Sequence, residues 1–304
     1  MARGWWSSLP SSARATTSHD RQGLPLSKLL IVNADDYGLT EGISRGILHA
    51  HREGIVTSTS AIAIGPAYPK VASWLADEGD LGVGVHLAAV GEDPPLLSAR
   101  EIPSLVGKRG HLCESYNEFV GRALLGRINP EDLRLEFTAQ LESVQELGVP
   151  ITHLDAHQHL QLWPSVCSVV IDLATRFGVP AVRVPRFRAR NPVAIGVTVL
   201  GARLARQAGR AGLRFPLDAV GIECAGRLDE RLLPEVLDRL ARHGHPAVEL
   251  TVHPGEGDDV DRARYEWGYR WEDELAALMG PVARRAVVAA GFRLATYADL
   301  PPEK

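Results

Sequence analysis

The side chains of this chain best suited to chemistry fall where short apolar runs end. Leu29–Val32 runs into Asn33-Ala34-Asp35-Asp36-Tyr37-Gly38, and the run 81–86 closes on His86. The run 151–155 carries His153 and Asp155 and is followed by His157 and His159. Arg183 lies in the run 181–184, Arg186 follows it, and His253 follows 247–252. Stretches of helical period separate these runs, a pattern that predicts parallel strands joined by crossover helices in an α/β fold. In such folds the C-terminal strand ends form one face, and that face holds the site.

The remaining order follows from turn and cap residues. Thr40 is placed to cap a helix over 41–53, with Gly54 as its stop. A β-branched strand is expected over 55–64, a helix over 68–76 and a strand over 81–86. A Pro- and Gly-containing connection from Ala88 to Ser115 reads as a functional loop. Further helices are expected at 116–125, 130–147, 164–177, 230–243 and 272–290. Strands at 220–223 and 292–295 complete the set, and the basic insert 188–217 reads as mostly helical. With 304 residues the chain can form one large domain, the size of many (β/α) barrels. Residues 1–27, rich in Ser, Arg and Thr, are expected to form a disordered leader, with a single barrel domain over 28–304. That leader has no apolar core of the kind a secretory signal needs.

A net charge of −4, from 33 basic and 37 acidic residues, argues against a nucleic-acid partner. No apolar run is long enough to span a membrane. Cys113, Cys167 and Cys224 are widely spaced and form no CxxC pair, so three reduced thiols and a cytoplasmic location are expected.

In an extended chain, residues 153, 155, 157 and 159 share one face, while Leu154 and Ala156 turn into packing. Three histidines and an aspartate on one buried face need partners, and a divalent cation is a natural one; a hydrogen-bonded polar strand end is the alternative. The pair Asp35-Asp36 could cap a helix, or divide into one metal-bound carboxylate and one free to take a proton. His86 is either a packed histidine or a ligand. His253, in His253-Pro254-Gly255, is suited to protonating a leaving amine, and otherwise marks a turn. Tyr265, Trp267, Tyr269 and Trp271 alternate along a loop and could stack on a sugar ring or on one another.

Four motifs in order, Val32-Asn33-Ala34-Asp35-Asp36-Tyr37-Gly38, Gly84-Val85-His86-Leu87, His153-Leu154-Asp155-Ala156-His157 and Val252-His253-Pro254-Gly255, resemble those of the YdjC-like carbohydrate deacetylases. The resemblance runs from about Leu29 to Tyr297. It implies a distorted (β/α) TIM-like barrel, one divalent cation and removal of N-acetyl groups from an amino sugar. Magnesium is the family's usual ion, although one carboxylate and two imidazoles suit zinc or another transition metal equally. By motif, Asp36, His86 and His157 are the implied ligands, Asp35 the base and His253 the acid. Arg183, His159, Asp155 and Trp267 are the expected substrate contacts. Gln158 stands where many members carry a histidine, and strand alternation turns it away from the site. The partner is then an acetylated sugar, with no nucleic acid and no membrane span, and a homodimer stays open. Two rival functions are a different hydrolase on the same barrel, cleaving esters or phosphodiesters, and a sugar-binding protein without catalysis.

Overall fold

The computed structural model describes residues 28–107, 110–186 and 192–302. The leader expected over 1–27 and the start of the insert, up to residue 191, lie outside the described residues. Elements follow in the order β1 (Lys28–Tyr37), α1 (Glu41–Arg52), β2 (Ser58–Ala61), α2 (Tyr68–Val71), β3 (Gly82–Leu87), α3 (Tyr116–Leu124), α4 (Pro130–Gln145) and β4 (Ile151–Ala156). Then come α5 (Pro164–Phe177), α6 (Pro192–Arg210), β5 (Asp218–Val220), α7 (Leu232–His243), β6 (Ala247–Val252), α8 (Trp271–Met279), α9 (Pro281–Ala289) and β7 (Phe292–Ala295).

The strands form one parallel sheet in the order β4-β3-β2-β1-β6-β5. β1 sits at its centre and is shared. Leu29–Ala34 pair with β6 along one edge, while on the other Lys28–Ile31 pair with β7 and Asn33–Tyr37 with β2. The gap between β4 and β5 is spanned by an extended segment rather than by a regular strand. Val182 bridges to Leu154 of β4, and Ala181 to Arg214 just before β5. The result is a single-domain, distorted (β/α) barrel, as the sequence pattern and the family resemblance predict.

Several element boundaries differ from the sequence reading. The strand expected at 181–184 is reduced to isolated bridges, because Pro180 and Pro185 flank it and supply no N–H to a ladder. β2 is only Ser58–Ala61, whereas β1 continues past its apolar run through both aspartates to Tyr37. The strand expected at 220–223 shifts to β5, and residues 222–224 form a 3-10 turn. The helix expected over 272–290 breaks at Gly280-Pro281, since Pro281 cannot continue a helix but starts one well. Thr40 does cap α1: its side chain accepts from the Ile43 N–H.

The helices pack apolar stripes on the outside of the barrel. α1 buries Ile43, Ile47 and Leu48, and α4 buries Leu133, Phe137, Leu141 and Val144. Each such side chain contributes about 1.5–3 kcal/mol on leaving water. α4 also anchors the long connection after β3. The Gln140 amide pairs with the N–H and C=O of Ala88, and the Glu136 carboxylate accepts from the Leu96 and Leu97 N–H groups. α1 runs so close to the loop after β6 that a Cβ on Gly46 would lie 2.6 Å from the Gly255 Cα. That contact leaves room only for glycine at position 46.

Candidate metal centre and active-site cavity

The C-terminal ends of β1, β3, β4 and β6 surround a cavity of roughly 320 Å³, lined by Asp35, Asp36, His86, His157, Gln158, His159, Thr251, His253, Trp267 and Tyr269 among others. Asp36, from the end of β1, holds a left-handed backbone with φ 71°. Aspartate tolerates that conformation better than most residues, and here it turns successive carboxylates to different tasks.

Asp36, His86 and His157 meet at a triangle of atoms. Asp36 Oδ1 lies 3.6 Å from His86 Nε2 and 3.5 Å from His157 Nδ1, and the two nitrogens are 3.3 Å apart. Zinc–nitrogen and zinc–oxygen bonds of about 2.0–2.2 Å separate neighbouring ligand atoms by roughly 3–3.5 Å, so the triangle matches the footprint of one small divalent ion. Asp36 Oδ1 is buried and has no hydrogen-bond partner among the described residues, a costly state that a cation would relieve. The second nitrogen of His86, Nδ1, is 2.9 Å from Asp155 Oδ1. A carboxylate behind a histidine in this way fixes its tautomer and ring orientation for a metal. Although burial pushes His86 down, the carboxylates of Asp155, Asp35 and Asp36 raise it to about 9, and the same field favours any cation placed there. The residues present therefore fit a divalent metal.

Asp35 faces the other way. Arg183 donates to both of its oxygens, Nη1 to Oδ2 and Nη2 to Oδ1 at 2.7 Å each, and Asn33 Nδ2 donates to Oδ1 at 2.8 Å. Burial works to raise its pKa, but the Arg183 guanidinium beside it holds the carboxyl well below the usual range. Arg183 also pairs with Asp155, and with Glu249 at 2.8 Å. Glu249 Oε2 in turn accepts from the Tyr297 hydroxyl at 2.5 Å. Tyr297 stacks on His153 with ring centroids 3.8 Å apart, and Ser60 donates to Asp155 while lying 3.1 Å from His153 Nε2. Burial drives His153 down to about 3, so this imidazole is neutral.

On the opposite wall, the His253 N–H donates to Glu274 Oε2 at 2.5 Å, and its Nδ1 stands 4.0 Å from the same oxygen. The rim is aromatic. Trp267 tilts over His157 with centroids 5.4 Å apart, and its Nε1 donates to Glu92 of the long connection. Asp93 accepts from Tyr265 and Arg264, which ties the two loops together.

The structure thus gathers Asp35, Asp36, His86, His157, His159, His253 and Trp267 around one cavity. Arg183 and Asp155, expected as substrate contacts, are corrected: both are 0% exposed and lie behind the cavity wall, engaged with Asp35 and His86 respectively. Gln158 is corrected too. β4 ends at Ala156, and Gln158 and His159 adopt left-handed φ values of 50° and 57°. Alternation stops there, so Gln158 reaches the cavity lining, and its Oε1 accepts from the Tyr116 N–H. Glu249, Glu274, Tyr269 and Tyr297 were not singled out from sequence as site residues. For Tyr269 the alternating aromatic run was the available signal. The others sit in strand, helix or turn positions with no local mark.

Cys113, Cys167 and Cys224 are free thiols. No described helix is long and apolar enough to cross a membrane.

Residues 29–289 match the sequence profile of the family described as YdjC-like protein. The chain is 31% identical to a chitooligosaccharide deacetylase of Enterobacter sp. (strain 638), over 90% of this chain and 100% of that protein. It is 30% identical to a carbohydrate deacetylase of Geobacillus stearothermophilus, over 88% of this chain and 96% of that one. A crystal structure of a candidate cellobiose-phosphate cleavage protein from Enterococcus faecalis V583 superposes with a TM-score of 0.73 at 24% identity, covering 89% of this chain and 98% of that one, and shares the fold.

Proposed function

The chain belongs to the YdjC-like family, and from that premise we propose that it is a metal-dependent carbohydrate deacetylase that hydrolyses the N-acetyl group of an amino sugar. The observation that carries this reading is the triangle of Asp36, His86 and His157 with Asp35 and His253 on the same cavity. Bound there, a divalent cation would supply Lewis acidity, lowering the pKa of a water and polarising the acetyl carbonyl. One carboxylate and two imidazoles suit magnesium less specifically than zinc, iron(II) or cobalt.

The chain's own groups divide the proton work. Asp35 is held as an anion by Arg183 and accepts the proton of the attacking water. A carboxylate offers about four lone-pair sites. Arg183 and Asn33 occupy two on Oδ1 and Arg183 one on Oδ2, so Oδ2 keeps the capacity to accept. Arg183, pinned by Asp155 and Glu249, fixes the direction of that lone pair. His253 protonates the departing nitrogen, with Glu274 beside its ring. Trp267 offers an apolar face to a sugar at the rim. Three free thiols accord with a reducing compartment such as the cytoplasm.

Release of acetate from N-acetylglucosamine oligomers, measured with a series of divalent metals, tests the proposal. Turnover of esters or phosphodiesters without acetate release would favour a different hydrolase on this barrel. Sugar binding without turnover under any metal would leave a binding protein.

A further inference from the structure

Tyr269 is a cavity residue that the assignments above leave without a task. Its ring is seated with unusual closeness. Gly226, with φ 69°, lies directly beneath it, and a Cβ at that position would come within 2.2 Å of the ring. The residue after the tyrosine ties the same two segments together, since the Arg270 N–H donates to the Gly226 carbonyl at 2.7 Å. The ring also packs against that of His253, with centroids 4.9 Å apart and planes at 63°. The ring is therefore held by a side-chain-free backbone position, the proposed acid and the indoles of Trp267 and Trp271.

The hydroxyl makes no hydrogen bond among the described residues, although the ring lines the cavity with Asp36, His86 and His157. Burial, then the carboxylates of Asp36, Glu274 and Asp35, push the phenol well above its ordinary range, so it keeps its proton and acts as a donor. His159, whose Nδ1 has no partner among the described residues, is the rival donor lining the same cavity, while the hydroxyl of Thr251 and the carboxamide of Gln158 are less available. Thr251 Oγ1 is turned toward Glu249 at 3.5 Å, and Gln158 is engaged by Tyr116.

We propose that Tyr269 is a catalytic residue whose hydroxyl donates a hydrogen bond to the acetyl oxygen as the carbonyl becomes tetrahedral. The proposal rests on the deacetylase reading and deepens it. The attacking water forms a C–O bond and passes one proton to Asp35, and the carbonyl π pair moves onto oxygen. That oxygen, now negative, is held by the Tyr269 O–H without proton transfer. On collapse the pair returns, the C–N bond breaks, and the nitrogen takes a proton from His253. Acetic acid and the free amine leave, the acid ionises in solvent, and the proton on Asp35 replaces the one His253 gave up. A donor aimed at charge that develops only in the transition state acts on turnover rather than on ground-state binding.

Tyr269→Phe removes the hydroxyl and keeps the ring, so packing on Gly226 and His253 survives. Turnover should fall roughly 10²–10³-fold, as when one such donor is deleted elsewhere, with KM, metal content and melting temperature little changed. A methylphosphonamidate of glucosamine, which mimics the tetrahedral species, should lose affinity in the variant, while glucosamine should not. Unchanged turnover in Tyr269→Phe overturns the assignment while leaving the deacetylase reading intact. A loss confined to KM, or equal weakening of the mimic and of glucosamine, likewise overturns it in favour of a substrate-binding role. If the unaltered enzyme releases no acetate from any acetylated sugar, the deacetylase reading fails and this assignment falls with it.

Discussion

Arg183 grips Asp35 with both terminal nitrogens at 2.7 Å, although the two residues are 148 positions apart in sequence. The same guanidinium faces Asp155 and Glu249, so one cation organises three buried carboxylates. A planar, permanently charged fork can do this and an ammonium cannot. Replacing it with Met should leave those carboxylates unpaired and cost about 3–5 kcal/mol of stability. Arg183→Lys should recover part of that stability but little turnover, because Asp35 loses its fixed orientation. Urea unfolding and acetate release, measured on both variants, check this. Turnover near the parent level in the Lys variant would show that orientation of Asp35 by the fork is unimportant.

The two adjacent aspartates should separate cleanly. Asp35→Asn cannot accept the water's proton, so it should retain metal while turnover drops roughly 10²–10⁴-fold. Asp36→Asn preserves a left-handed backbone well, as asparagine tolerates it too, and should lose metal affinity instead. Elemental analysis beside turnover decides between these outcomes. Equal metal loss in both variants would refute the division of roles.

His86→Ala and His157→Ala should each weaken metal retention, since each removes one corner of the triangle. Chelation of the parent protein should lower its melting temperature. Metal at a hundred times its dissociation constant contributes about 2.7 kcal/mol, or roughly 4–5 °C for a domain of this size. Differential scanning calorimetry with and without chelator reads the shift. Its absence in the parent, or its persistence undiminished in both variants, would count against this centre.

Gly226→Ala should harm turnover through Tyr269. The added methyl must displace the tyrosine ring, and alanine at φ 69° costs about 1 kcal/mol in backbone strain alone. Gly212→Ala, at φ 72° with open space around it, isolates the backbone cost. A loss of melting temperature at 226 that exceeds the loss at 212, with turnover lost only at 226, is the expected result, and unchanged turnover at 226 would count against it.

Much of the site was legible because strand ends advertise it. Asp36, His86, His157 and His253 follow or close apolar runs, and a parallel fold must bring those ends to one face. The rest depended on contacts between distant segments. Arg183 looked like a ligand for substrate because a strand-end arginine has no local feature showing whether it faces outward or is enclosed by acids. Glu249 alternates within β6 like any buried strand residue, and its partners, Arg183 and Tyr297, are 66 and 48 positions away. Gln158 was misplaced because period-two reasoning was carried two residues beyond the strand. The run 181–184 reads as a strand because its apolar residues outweigh the flanking prolines, yet it holds only isolated bridges at Ala181 and Val182.

β1 and β7, the first and last described strands, lie side by side, and Tyr297 just beyond β7 reaches Glu249 and His153 in the charged interior. A growing chain on the ribosome has exposed Asp36, His86 and His157 once residue 157 has emerged, yet it lacks the phenol that completes the support of Arg183 until residue 297 is free of the exit tunnel. A nascent chain short of residue 297 therefore holds buried acids with an incomplete set of partners.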